Sequence, residues 1–187
     1  MVAIPMIAPF SSRRLRGLPR LLATLWLSIL GLWFLGLGDP AYALSPPDGL
    51  IQDLGDGVDL ANKNFSGLVL QDKRFTKLDL EGANFQKTDL RGTVFNGTDA
   101  SYGNFGGADF SYGMAYHSVF RGADFTDAVL TGAYLLQSQF DGAIVTNADF
   151  TEAVLDLDQQ RKLCKTASGT NPITGANTRF SLGCSPA

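Results

Sequence analysis

One histidine and two cysteines are all that 187 residues offer to imidazole or thiol chemistry. A Ser-His-Asp triad would have to use His117, and no zinc-spaced Cys/His set, phosphate-binding glycine loop or calcium loop is present. Charge is missing altogether from residues 21–38 (LLATLWLSILGLWFLGLG), which follow Arg13, Arg14, Arg16 and Arg20 in a stretch without acid. That order is a signal-peptide layout. Ala41-Tyr42-Ala43 places small residues at the two positions a signal peptidase must accommodate, so cleavage is expected between Ala43 and Leu44. An uncleaved anchor is the rival reading, because about 18 apolar residues can just span a bilayer. Arg13-Arg14 points to twin-arginine export, but Arg16 and Gly17 stand where that signal prefers apolar residues, which leaves the Sec and twin-arginine routes both open.

Removal of residues 1–43 takes away four Arg and one Asp, leaving 11 basic and 17 acidic residues and a formal charge of −6. Such a body is a poor nonspecific ligand for nucleic acid, whose phosphates need Lys and Arg to displace counterions. No nucleic-acid partner is expected, and membrane contact only through the signal segment before cleavage. Cys164 and Cys184 both lie in the last twenty-four residues. Export favours their pairing, worth roughly 3 kcal/mol for a loop of about 20 residues; two buried, reduced thiols are the alternative.

What the chain has in abundance is repetition. Large apolar residues recur at every fifth position from Leu60 to Leu155 without an insertion, and only Ala100 and Ala115 among these twenty centres are small. Two positions before each centre, from Ala83 to Ala153, every residue is Ala, Gly, Ser or Thr. A period of five is neither the 3.6 of a helix nor the 2.0 of a flat strand, so a straight element would scatter these side chains around its circumference. A chain that bends once per five residues keeps every centre inside, and four bends close a square coil of twenty residues.

The segments EGANF (81–85), GGADF (106–110), RGADF (121–125) and TNADF (146–150) resemble the pentapeptide-repeat family, whose pattern is A(D/N)(L/F)xx. The resemblance covers about half the chain. It implies an all-β solenoid, the right-handed quadrilateral β-helix of that family, with about five coils standing roughly 24 Å tall at ~4.8 Å per coil. The expected organisation is a signal peptide (1–43), an N-terminal linker and cap (44–57), the β-helix (58–156) and a helical cap with a disulfide (157–187). Lys63, Leu68, Lys73 and Leu78 break the small-residue rule, which predicts a first coil that is irregular or covered by residues 48–58. At the other end Asp158 is expected to cap a short helix running to about Ala167, with Gly169 as its stop. Residues 171–184 then return to that helix through Cys164 and Cys184. This tail resembles the disulfide-linked helical cap of thylakoid-lumenal pentapeptide-repeat proteins of chloroplasts and cyanobacteria. The resemblance implies the thylakoid lumen as destination; the periplasm stays open.

Nothing in the sequence assembles a catalytic site. His117 lies two residues after a centre, where the family's side chains face solvent. Asp79, Asp89, Asp99, Asp109, Asp124 and Asp149 all precede centres, a position the family fills with Asp or Asn as part of its repeat. No enzyme, metal or cofactor site is therefore expected. Two glycosylation sequons, at Asn64 and Asn96, read as repeat residues.

Stacking at twenty residues assigns outward positions to faces. The face built on Phe75, Phe95, Ala115, Leu135 and Leu155 presents Val94, Met114, Tyr116, Tyr134, Leu136 and Val154, an apolar stripe large enough for a protein partner or a second copy. Cover by loops or by the tail is the alternative, as is the ordinary liking of strands for such residues. Tyr102, Tyr112 and Tyr116 decorate one coil and raise a small-ligand site. The leading reading is a non-catalytic, exported interaction scaffold of the lumen or periplasm. The rivals are an acidic DNA mimic acting on a topoisomerase, since residues 96–155 hold seven acids against Arg121 alone, and an enzyme or ligand binder with a shallow surface site.

Overall fold

The computed structural model describes residues 59–185; the expected signal segment with its Ala43–Leu44 junction, and residues 44–57, lie outside the described residues. Parallel bridges join each residue that precedes a centre to the residue twenty positions on, in four ladders. The first runs from Asp59 to Gln139, the second from Asn64 to Ile144, the third from Val69 to Asp149 and the fourth from Arg74 to Val154. Each ladder marks one face of a four-sided coil, and the faces are numbered one to four in that order. Every centre from Phe65 to Phe150 is buried, so the fifth-position rule of the sequence is the core of the molecule.

The backbone leaves few donors to chance, as a buried solenoid requires. In each block of five the centre and the corner residue two after it donate to the coil above, as in Leu80 N–H to Asp99 O at 2.7 Å and Gly82 N–H to Ser101 O at 2.8 Å. The residue before the centre donates to the coil below, as in Asn84 N–H to Lys63 O at 2.8 Å. The next donor closes the turn, as in Ala83 N–H to Leu80 O at 3.0 Å. All corner residues from Asn62 to Glu152 have φ between 54° and 71°, in the left-handed region that a turn of this kind needs at its third residue. Lys77, Tyr112 and His117 adopt it as fully as the glycines do.

The corner after face four is built differently. Thr98, Ser118 and Ser138 stack there, each almost wholly buried. Thr98 N–H donates to Ser118 Oγ at 3.3 Å and Ser118 N–H to Ser138 Oγ at 3.0 Å. The hydroxyls in turn donate to the carbonyls of Phe75, Phe95 and Ala115. Alanine, used at most other inner positions, could supply neither bond.

The first coil stays in register, with Asp59, Asn64, Val69 and Arg74 all bridged to the second, so it is not irregular. Its Leu78 is buried and Leu68 packs against the core, which a bulky inner residue can do where no described coil lies beneath it. The small centres of the middle coil are compensated rather than empty. Phe110 leans into the room that Gly113 leaves, where a Cβ would meet its ring at 2.5 Å, and Phe105 does the same at Gly103, at 2.8 Å. The ring-lined interior between Phe95 and Phe140 holds no space for a water molecule.

Two short helices close the upper end, α1 (Leu157–Leu163) and α2 (Thr178–Ser181). The helix starts two residues earlier than an N-cap at Asp158 predicts. Asp156 is its N-cap residue, and its carboxylate is spent on Gln137 N–H of the coil below at 2.6 Å. Asp158 lies inside the first turn and pairs with Lys162 at 3.3 Å. The helix also ends sooner, at Leu163, and Gly169 serves the turn that follows by letting Asn147 approach. Side chains of the cap stand in for a sixth coil: Gln159 accepts from Phe140 N–H at 3.0 Å and Ser181 Oγ from Phe150 N–H at 3.0 Å. Cys164 and Cys184 are joined, with 5.6 Å between their Cα atoms, and tie the tail to α1. Replacing both with serine is expected to lower stability by about 3 kcal/mol in a denaturant titration, through the freed loop of the unfolded chain.

Candidate interaction face

Face four presents the ladder Arg74, Val94, Met114, Tyr134, Val154, each bridged to the next. A second column follows the centres: Thr76, Asn96, Tyr116, Leu136 and Asp156. Met114 and Tyr134 are 43% and 55% exposed, and Tyr116 and Val154 are exposed beside them; Val94 and Leu136 are half-buried. The six residues singled out in the sequence thus lie on one face. Met114, Tyr116, Tyr134 and Leu136, together with Asn96, line a shallow recess of about 240 Å³. The Tyr116 ring meets His117 edge-on at 4.3 Å, where the corner turns away toward face one.

The tail takes another path, over face three. Asn171 is only 1% exposed; its amide nitrogen donates to the carbonyls of Asp127, Ala128 and Asn147 at 3.2, 3.1 and 2.9 Å. This course buries Val129 and Asp149. Asp149 belongs to the outward column of face three by its place in the repeat, and the fold of the tail hides it. Burial pushes its pKa up, but hydrogen bonds from Thr151, Thr174 and Thr131 outweigh that and hold it below the usual carboxylate value. Among the described residues, the tail does not cover the apolar stripe.

The carboxylates before the centres have work of their own. Asp79, Asp89, Asp99, Asp109, Asp124 and Asp149 each accept the N–H two residues on, at 2.8 to 3.3 Å, and so lock their turns. Asn64 does the same for Ser66 at 3.1 Å, while Asn96 accepts from Tyr116 N–H of the next coil at 3.3 Å, so both sequon asparagines are engaged. On face three Arg91 stands between two of the acids, 2.7 Å from Asp89 and 3.8 Å from Asp109, and the Arg91 guanidinium lowers the Asp89 pKa. Acids that bind their own turns are spread over three faces and do not converge as paired catalytic carboxylates must.

The tyrosine cluster of the middle coil comes apart in three dimensions. Tyr102 and Tyr112 are ten residues apart, which is half a coil, so they occupy opposite corners, each lying over a glycine of the next coil, Gly122 and Gly132. Only Tyr112 and Tyr116 border face four. The hydroxyl column of Thr98, Ser118 and Ser138 and the Asn171 clamp escaped the sequence reading. The first had a signal, hydroxyl residues at a spacing of twenty; the second had none, because its partners are distant backbone carbonyls.

Comparison with known proteins agrees with this architecture. Residues 74–111 and 118–156 match the family of pentapeptide repeats, in eight copies. Over 43 residues the chain is 58% identical to a chloroplastic thylakoid lumenal protein of Arabidopsis thaliana, a stretch that makes up 23% of this chain and only 15% of that protein. The crystal structure of a pentapeptide repeat protein from the Arabidopsis thaliana thylakoid lumen superposes with a TM-score of 0.65 at 34% identity, over 68% of this chain and 89% of that one.

Proposed function

Because this chain belongs to the pentapeptide-repeat family and folds as its right-handed quadrilateral β-helix, we propose that it acts through a surface: it is an exported, non-catalytic protein-interaction scaffold of the thylakoid lumen. The supporting observation is the stripe from Met114 through Tyr134 to Val154, the one place among the described residues where exposed large apolar side chains follow one another on adjacent coils. Val69, Ile144, Tyr102 and Tyr112 are exposed singly on other faces or corners and need no partner to explain them. The lumenal assignment draws on the Arabidopsis relatives, which are thylakoid lumenal proteins, and on the signal-like N-terminus.

The acidic-mimic reading has less support. Its ladder of carboxylates is turned onto the backbone, broken by Arg91 and closed over by the tail at Asp149. The surface-enzyme reading has less support too: His117 packs edge-on against the ring of Tyr116, and the carboxylates before the centres accept from their own turns.

The test is a double substitution, Met114→Glu with Tyr134→Glu, in proximity labelling from the exported protein in its own compartment. An aromatic anchor at the centre of an interface contributes roughly 2 kcal/mol or more, so binding should fall at least about 30-fold. Thermal stability should hardly change, because both side chains are solvent-facing. Unchanged labelling with intact folding would remove the stripe from consideration.

A further inference from the structure

The helical cap differs from the coils in both charge and polarity. Residues 157–185 carry four basic side chains against one acidic, whereas residues 59–156 carry seven basic against thirteen acidic. The cap also holds Phe180 of α2, at 86% the most exposed large apolar side chain among the described residues, and Leu157 of α1, at 67%. We propose that the outer surface of the cap docks end-on against an anionic lipid bilayer, with the coils pointing away from the membrane.

Helix geometry puts the basic and apolar groups on one side. On α1, Gln159 reaches down to Phe140 N–H and Leu163 is buried, so the opposite side presents Leu157 and Arg161, with Lys165 just past the helix end. On α2, Thr178 is buried and Ser181 reaches down to Phe150 N–H, which turns Arg179 and Phe180 outward. Arg179 donates to the carbonyl of Cys164 at 2.6 Å and is thereby fixed at the end of α1. Arg161, Lys165 and Arg179 border one open recess of about 370 Å³ whose lining holds no acid. Among the described residues the ion pairs of the cap engage Lys162, with Asp141 and Asp158, and leave those three cations without a carboxylate. Of the other acids at this end, Asp149 is buried under the tail and Asp156 is bound to Gln137 N–H; Glu152 is exposed, but on the top coil rather than on the cap. Anionic headgroups answer the cations and the acyl boundary answers Phe180 and Leu157, a pairing that a soluble acidic protein or a neutral bilayer meets only by half. The same surface repels the acidic coils, which sets the end-on orientation.

The experiment is flotation of the exported protein, produced with its own leader, with vesicles of phosphatidylcholine that contain about one third phosphatidylglycerol. Half of the protein should be bound at roughly 0.1–1 mM accessible lipid, and a rise from ~50 mM to ~500 mM salt should release it. Arg161→Gln with Lys165→Gln, and Phe180→Ser alone, should each weaken binding at least about fivefold. All three positions are at the surface, and unchanged melting curves verify that the cap is intact. Met114→Glu with Tyr134→Glu should leave vesicle binding as it is, so this test and that of face four succeed or fail separately. Trp26 and Trp33 both lie in the leader, so the cleaved Phe180→Trp chain carries a single tryptophan, at the contact itself. Its emission should shift to the blue with the anionic vesicles and not with pure phosphatidylcholine. Equal binding with and without anionic lipid, unchanged binding in the cap variants, or an emission that does not move overturns the proposal. Capture of a soluble acidic protein through Arg161 and Lys165 without vesicle binding also overturns it and gives the cap to a protein partner instead.

Discussion

Truncation of Phe105 to alanine is expected to lower the free energy of unfolding by about 3–5 kcal/mol, the range for removing a buried aromatic side chain. Phe105 is the middle of a stack: its ring lies 5.0 Å from Phe85 and 4.8 Å from Phe125, nearly parallel to both, and meets Phe95 and Phe120 edge-on at 6.2 and 5.7 Å. A helix bundle could shift an element to reclaim part of the lost volume. Here the coils are held at fixed spacing by the bridge ladders on either side, Asn84 to Asn104 and Asn104 to Asp124, so the cavity remains. A solenoid adds a second reason, because each coil is stabilised by its neighbours alone and a defect in the middle weakens the contacts both below and above. Equilibrium unfolding in guanidinium measures the effect, with Val69→Ala, at an exposed position of face three, expected within about 0.5 kcal/mol of the wild type. A loss below about 1 kcal/mol for Phe105→Ala would mean that the stacked rings are not where the stability resides.

The same stack was the most legible part of the chain. Period five with large centres and small inner residues describes a packing rule that each block obeys locally, so no distant information is needed to read it. The corners are different. Tyr112 and His117 carry no conformational signature of their own, and their left-handed backbone is imposed by the ladders on both sides. The helix start shows the limit of a local rule: Asp158 is a good cap by type, but Asp156 precedes it and is drawn to Gln137 N–H, an orphan donor of the coil below. The stripe on face four was legible because it needs only the twenty-residue stacking. The course of the tail was not, since nothing in residues 171–174 announces that they lie on face three, and so the burial of Asp149 could not be read.

That course depends on Asn171, and Asn171→Asp is expected to cost roughly 4 kcal/mol at neutral pH, more than the loss of the disulfide. The substitution preserves shape and keeps an oxygen for the N–H groups of Ile173 and Thr174, which Asn171 Oδ1 accepts at 2.9 and 3.0 Å. What changes is the other atom. A donor that serves three carbonyls becomes an anionic oxygen facing those same three carbonyls about 3 Å away, in a site closed to water. Burial and the carbonyl dipoles both disfavour the charge, so the carboxyl pKa in the folded variant rises above the unfolded value of about 3.9. The unfolded chain then releases the proton more readily than the folded one. The penalty is full above the raised pKa and is relieved as pH falls through it toward about 4, so the gap to wild type should narrow on acidification. Asn171→Ala, which loses the bonds without adding charge, should show a smaller deficit that does not vary over that range. Limited proteolysis between residues 168 and 177 reports the same event locally, because release of the clamp lifts the tail and uncovers Val129 and Asp149. A flat pH response of the Asp variant would mean that the tail leaves face three on substitution and takes its carboxylate into water, whereas a narrowing gap means that the clamp holds and that face three stays closed.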